Sequence, residues 1–198
     1  HMKVNPKQLL GLRYAMVRKE VSEVTALHLP TREGEVFVAM GGADFLGLTA
    51  PIVEAITETG LQIRVAVGHA NTQREVVQKL ADQHGHVTLI EQRDYVSSLA
   101  SAHVAVLAAG SSLWEACAVG TPSIGLVVAD NQVASANAAA KLGFTRVIDC
   151  RKSFSVEAVK REIEACILGG TSAMRGAALS IGIAGGASKV ASELGAIA

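Results

Sequence analysis

Apolar and polar residues along this chain fall into short blocks whose period switches again and again. EVFVAM (35–40) is a β-branched, nearly uncharged run that stops at Gly41-Gly42, and a helical stretch follows at 48–59. LQIRVAVG (61–68), HVTLIE (86–91), HVAVLA (103–108), TPSIGLVVA (121–129) and TRVIDC (145–150) repeat the strand signature. Helical patterns lie between them at Thr72–His84, Asp94–Ala102, Ser112–Val119, Asn131–Leu142 and Ser155–Leu168. Strands so short, so rich in Val and Ile and so poor in charge are those buried on both faces. The alternation therefore predicts an α/β fold: a Rossmann-like, doubly wound parallel sheet of about six strands, with right-handed crossovers and helices on both faces.

Local signals set the expected helix ends. Thr72 and Glu75 have the spacing of a capping box. Asp130 is an N-cap candidate for the Ala-rich helix, and Gly143 closes it. Residues 1–34 have no sustained period and read as an irregular leader with a short helix at most. Residues 35–170 form the predicted domain, and 171–198 read as a tail of one or two Ala/Gly-rich helices.

Composition narrows the function classes. Hydrophobic residues make up 49% of the 198 positions, enough for a sizeable core. Basic and acidic residues balance at 18 each, so no basic field is present to attract nucleic acid or an anionic membrane. Tyr95–Trp114 carries no formal charge, yet its serines, His103 and Gly110 suit helix, strand and loop better than a transmembrane span. Three scattered cysteines (Cys117, Cys150 and Cys166) make no disulfide framework and read as reduced thiols in or near a core. With no signal peptide in view, a cytoplasmic location is expected. His1-Met2 reads as an expression-vector remnant, so the natural start is not visible.

Ligands of open parallel sheets bind beyond the carboxyl ends of the strands, and polar loops follow three of them. Gly41-Gly42-Ala43-Asp44 lets the backbone approach a ligand, and the next helix offers its free amides to a phosphate. A plain turn with Asp44 as cap accounts for the same residues. Gly110-Ser111-Ser112 opens another helix, with Glu115 one turn in to accept bonds from a ribose; Ser112 and Glu115 also fit a capping box. Asp130-Asn131-Gln132 offers amide donors and acceptors suited to sugar hydroxyls, or is simply an exposed helix start. Each bland reading stands alone, but three polar loops at one sheet edge together favour a nucleotide and sugar cleft.

At this point the residues resemble a known family. Gly110-Ser-Ser-Leu-Trp-Glu115-Ala-Cys-Ala-Val-Gly120-Thr-Pro122, then Ala129-Asp-Asn-Gln132 and Asn137-Ala138, look like the C-terminal domain of GT-B enzymes. The likeness is greatest to the UDP-sugar hydrolases of pseudaminic acid biosynthesis and the related spore-coat polysaccharide proteins, and looser to the transferase that makes lipid II. Leu9-Leu10-Gly11-Leu12-Arg13-Tyr14-Ala15 resembles the segment that crosses from the N-terminal domain, and Gly41–Asp44 with Leu48-Thr49 resembles the glycine turn of the first strand. The resemblance implies Gly41, Gly42, Ser111 and Ser112 near a diphosphate, with Asp44 and Gly110 in the same turns. It implies Glu115 on the ribose, Asn131 and Gln132 facing the sugar or diphosphate, and the backbone near Tyr95 and Val96 meeting the uracil edge. The family's C-terminal Asp-Gly-x-Gly-Ala is not intact; Ile181–Ala187 is the nearest stretch. The family's catalytic histidine belongs to the N-terminal domain, so no residue here takes that role and the chain alone is expected to be inactive.

The expected ligand is thus a UDP-sugar, with no cofactor and no metal. The expected partner is an N-terminal domain or a partner subunit, and an exposed apolar face or self-association follows from the uncovered half of the cleft. UDP-sugar hydrolysis in polysaccharide or nonulosonic acid biosynthesis is the first reading. The donor-binding half of a glycosyltransferase, or a non-catalytic UDP-binding subunit, is the alternative. Other features are read as incidental: His1 as a tag remnant, His28 as a leader residue, His84 and His86 as a solvated turn, Trp114 as packing. His69 lies at the ligand edge and His103 begins a strand.

Overall fold

The structure is a computed structural model, and it describes residues 8–27, 30–183 and 185–195. His1 and His28 lie outside these residues. Six strands form one parallel sheet: β1 (Arg32–Ala39), β2 (Gln62–Ala66), β3 (Val87–Ile90), β4 (Ala102–Ala108), β5 (Ser123–Val127) and β6 (Thr145–Asp149). Their spatial order is β3-β2-β1-β4-β5-β6. Nine α-helices of the described residues connect or cover them: α1 (Lys19–Leu27), α2 (Thr49–Thr57), α3 (Arg74–Gln83), α4 (Tyr95–Ser101), α5 (Ser111–Val119), α6 (Val133–Lys141), α7 (Val156–Gly169), α8 (Ser172–Ile181) and α9 (Gly186–Gly195).

The apolar alternation within each strand builds the two layers. In β1, Phe37 and Ala39 join one core and Val36 and Val38 the other, because successive side chains point to opposite faces. The first core lies under α1, α4, α5, α6 and α8, and is filled by Val21, Leu99, Leu113, Phe144 and Ala178. The second lies under α2, α3 and α7, with Ile52, Ile56, Val77 and Ile163. Every residue of β4 and β5 is buried, as the uncharged runs 103–108 and 121–129 predict. The charge-free stretch from Tyr95 to Trp114 is α4, β4 and the start of α5. Among the described residues no single helix is long and apolar enough to cross a membrane.

Several local expectations are corrected. The first strand starts at Arg32 rather than 35, because Arg32 pairs with Ala102 across a register shift; ladder bonding, not apolarity, sets its start. The leader is more ordered than its irregular pattern implies: Leu12–Tyr14 form a 3-10 turn, α1 follows, and Val17 and Val21 are buried in the first core. Thr72 does not cap α3. The helix starts at Arg74 without a side-chain cap, and Asn71 Oδ1 instead accepts the Gln73 amide at 2.8 Å, an Asx turn in place of the capping box. Asp130 opens a 3-10 turn, Asp130–Gln132, and α6 begins after it without a side-chain cap; the Asp130 carboxylate is drawn off by Arg151, 2.6 Å away. Ser155 does cap α7, accepting the Ala158 amide at 3.1 Å.

The tail folds back on the body. Ala178 and Leu179 of α8 sit against α5, where Cys117 Sγ approaches the Ala178 carbonyl at 3.8 Å. Gly186, at the start of α9, abuts Ala15 so closely that a β-carbon there would lie 2.8 Å from the Ala15 carbonyl carbon. Tyr14 Oη donates to Glu193 Oε1 of α9 at 3.3 Å.

Candidate functional site

The strand order reverses between β1 and β4, and the loops leaving these strands diverge there. A cavity of about 310 Å³ fills the gap. Gly41 and Gly42 line it from the loop after β1, Ala66–Gly68 from the end of β2, Gln92 from the 3-10 turn ahead of α4, and Tyr95 from the first position of α4. Ser111 and Ser112 line it from the head of α5, and Arg18 from the segment just ahead of α1. A second cavity, of about 240 Å³, shares Gly41, Gly42, Ser111 and Ser112 and adds Asp44, Gly110 and Gln132.

Backbone packing positions these groups. Gly125 in β5 lets α5 lie close to the sheet: a β-carbon there would stand 3.1 Å from the Leu113 side chain. α5 follows β4 with Gly110 at its N-cap and no side-chain cap, so its first turn meets the cleft uncapped. The capping-box reading of Ser112 and Glu115 is therefore overturned. The helix begins one residue earlier, and both side chains bond elsewhere. Gly68 holds the other wall. A β-carbon there would lie 2.8 Å from Gly42 Cα, so the loops after β1 and β2 touch backbone to backbone.

Asp44 works within its own loop. It adopts a left-handed backbone at φ 43° and is buried. One carboxylate oxygen accepts the Leu48 amide at 3.0 Å; the other accepts the Thr49 amide at 2.8 Å and the Thr49 hydroxyl at 2.6 Å. The amides at the start of α2, expected to be free for a phosphate, are thus already taken by a carboxylate. The uncapped helix start whose first residues line both cavities is that of α5.

Glu115 stands one turn into α5 and is 4% exposed. Arg18 covers it, with Nε 2.7 Å from Oε1 and Nη2 3.4 Å from Oε2. The same guanidinium lies over the Tyr95 ring, 4.7 Å from its centroid. Tyr95 packs edge-on against Phe37, with centroids 5.2 Å apart. Burial pushes the Tyr95 phenol up to about 12, opposed by a hydrogen bond with Ser112 and reinforced by the charge of Glu115; at neutral pH it is an uncharged donor. Arg18 is the one charged side chain among the described residues lining the 310 Å³ cavity.

The structure gathers Gly41, Gly42, Tyr95, Ser111 and Ser112 on one cavity, and Asp44, Gly110 and Gln132 on its neighbour. Gln132 is anchored by its Oε1, which accepts the Val128 amide at 2.9 Å. Val96 is buried in the first core, and Asn131 is exposed and lines neither cavity. Sequence reasoning missed Arg18, Gln92 and Gly68. His69 lines an adjoining small cavity of about 80 Å³ with Arg74 and Glu91, which shares Ala66, Val67, Gly68 and Gln92 with the first. Trp114 donates to Ser135 Oγ at 3.0 Å and packs near Phe144. His86 Nε2 lies 3.1 Å from the Thr57 carbonyl, and His103 Nδ1 lies 2.8 Å from Glu33 Oε2 at the far end of the sheet. The three thiols are buried, and burial pushes Cys117 up to about 12, so none is poised as a nucleophile.

Neither a family model nor a curated protein matches the chain. Solved structures do. The chain is similar to the E. coli heptosyltransferase WaaC with ADP, at 19% identity and a TM-score of 0.52, over 72% of this chain and 48% of that one. It is similar to Acinetobacter baumannii MurG at 16% and 0.59, over 86% and 50%. It is similar to the spinosyn rhamnosyltransferase SpnG complexed with thymidine diphosphate at 24% and 0.61, over 77% and 41%. The chain thus spans about half the length of these structures, or less. At such identities the likeness is one of fold, and the fold is the Rossmann-like C-terminal half of the GT-B glycosyltransferase architecture.

Proposed function

We propose that this chain is the donor-binding half of a GT-B-type enzyme and that its cleft holds the nucleoside diphosphate of a nucleotide sugar, with UDP the nucleotide its motifs suit. One observation carries this reading: an uncapped helix start with two serine hydroxyls, a glycine turn and a lone arginine converge on one cavity where the strand order reverses. Helix amides, hydroxyls and a guanidinium are the groups that hold a diphosphate and stabilise it as it leaves a sugar. Neighbours of the same fold were solved with ADP and with thymidine diphosphate, which supports a nucleotide as the ligand. In the reading, Glu115 takes the ribose hydroxyls, and Gln132 and Asn131 stand on the sugar side.

Two reactions use such a half-site. Hydrolysis of a UDP-sugar rests on the motif run 110–138 alone; transfer to an acceptor is favoured by neighbours that are glycosyltransferases. Transfer is the preferred reading. In either case a second lobe, on the same or another polypeptide, brings the group that activates the attacking oxygen. Titration calorimetry with UDP on the chain and on Glu115→Ala and Ser112→Ala tests the donor site. Saturable binding that both changes weaken about tenfold or more is expected for lost hydrogen bonds to charged or buried groups. Folded protein with no UDP binding at millimolar concentration would overturn it.

A further inference from the structure

Glu115 is not waiting empty for a ribose. It lies behind the cavity wall, almost fully buried, and Arg18 occupies both of its oxygens. The two partners differ in freedom. Glu115 is fixed in the middle of α5, with a side chain 6% exposed. The Arg18 side chain is 37% exposed and springs from the residue just ahead of α1. Arg18 is therefore the partner that can move, and its neighbourhood offers a diphosphate the only cationic group among the described lining residues.

We propose that Arg18 and Glu115 are an exchangeable counter-ion pair through which the cleft selects nucleoside diphosphates over both nucleosides and free diphosphate. The proposal rests on the donor-site reading above. A nucleoside alone must displace Arg18 from Glu115 and leave a guanidinium without its anion. A free diphosphate must pull Arg18 away and leave a buried carboxylate without its cation, the costlier of the two. A nucleoside diphosphate does both at once: its ribose hydroxyls replace Arg18 on Glu115, and its phosphates replace Glu115 on Arg18. Each half of the ligand relieves the charge that the other half exposes, so the pair discriminates by penalising partial ligands. Tyr95 supports the exchange, because its ring carries the guanidinium while the guanidinium changes partners.

The test is a crossed titration. Uridine, inorganic pyrophosphate and UDP are titrated calorimetrically into the wild type, Arg18→Met and Glu115→Gln, with thermal melts to verify folding. Arg18→Met frees Glu115, so uridine binds tighter, by about threefold or more, the coupling of a part-exposed ion pair, while UDP binds weaker. Glu115→Gln frees Arg18, so pyrophosphate binds tighter while UDP again binds weaker. The two arms are independent, so failure of one variant to fold leaves the other decisive. If either folded variant binds its partial ligand no better than the wild type does, the exchange is wrong and the ion pair merely holds α1 on α5. If the wild type binds no UDP at all, the donor-site reading itself has failed, and this proposal with it.

Discussion

A methyl group at residue 68 and one at residue 42 should have opposite effects, although these glycines touch. Gly68 has an ordinary backbone conformation, so only space opposes an alanine there. Its β-carbon would lie 2.8 Å from Gly42 Cα and 3.0 Å from the Gly42 carbonyl carbon, whereas ordinary contact begins at 3.4 Å. Both obstacles are backbone, so the glycine loop must shift by about 0.5 Å or more, a strain that overpacking places at about 1–3 kcal/mol. That loop cannot yield freely, since Asp44 ties its far end to α2 by three hydrogen bonds. Gly42→Ala is the reverse case. Its β-carbon meets nothing within 4 Å and its φ is not positive, yet Gly42 lines the cleft. Gly42→Ala should keep wild-type stability within about 0.5 kcal/mol, as substitutions away from packed groups do, and lose UDP affinity because the methyl enters the ligand's space. Denaturant melts and calorimetry on both variants check this. A Gly68→Ala protein as stable as wild type would refute the loop contact, and a Gly42→Ala protein that binds UDP normally would remove the glycine turn from the ligand site.

Two further outcomes follow from the geometry. Asp44→Ala loses the cap of α2 while keeping a β-carbon at φ 43°, and should destabilise by about 1–2 kcal/mol; Asp44→Gly relieves the backbone and should recover roughly half of that in denaturant melts, whereas equal losses would mean the left-handed turn stores no strain. Asp149 is held down at about 2, first by the side-chain hydrogen bond from Arg151, in a cluster that also includes Asp130. A depressed carboxylate adds stability above its ordinary value and loses it as pH falls from about 4 towards 2. Carboxyl titration by NMR should therefore place Asp149 near its ordinary value in Arg151→Ala, and an unmoved midpoint would show that Arg151 is not the cause.

What could be read from the sequence was what depends on local pattern. The uncharged runs 103–108 and 121–129 had to be buried on both faces, and together with the crossovers they implied a parallel sheet with ligand loops at one edge. Gly41, Gly42, Ser111 and Ser112, which line one cavity, are picked out by this reasoning. Capping was misread because Thr72–Glu75 and Ser112–Glu115 have the right spacing and the wrong starting points; one residue of shift at Gly110 sends both side chains to other partners. Arg18 was invisible for a different reason. Its meaning comes from a carboxylate 97 positions away, and nothing in the leader's irregular pattern announces a contact at that distance. Gly68 was hidden likewise, since a glycine ending an apolar strand gives no sign that another backbone lies against it.

The seating of Gly186 on Ala15 joins the last described helix to the segment that carries Arg18 three residues further on. The described residues of the tail line neither cleft cavity, yet they brace the segment from which the arginine reaches out. A change in α9 that loosens this brace would be felt as slack in the arginine's reach, much as a loosened guy-rope lets a mast lean. Distance from the ligand is thus a poor guide to which residues of this tail govern its binding.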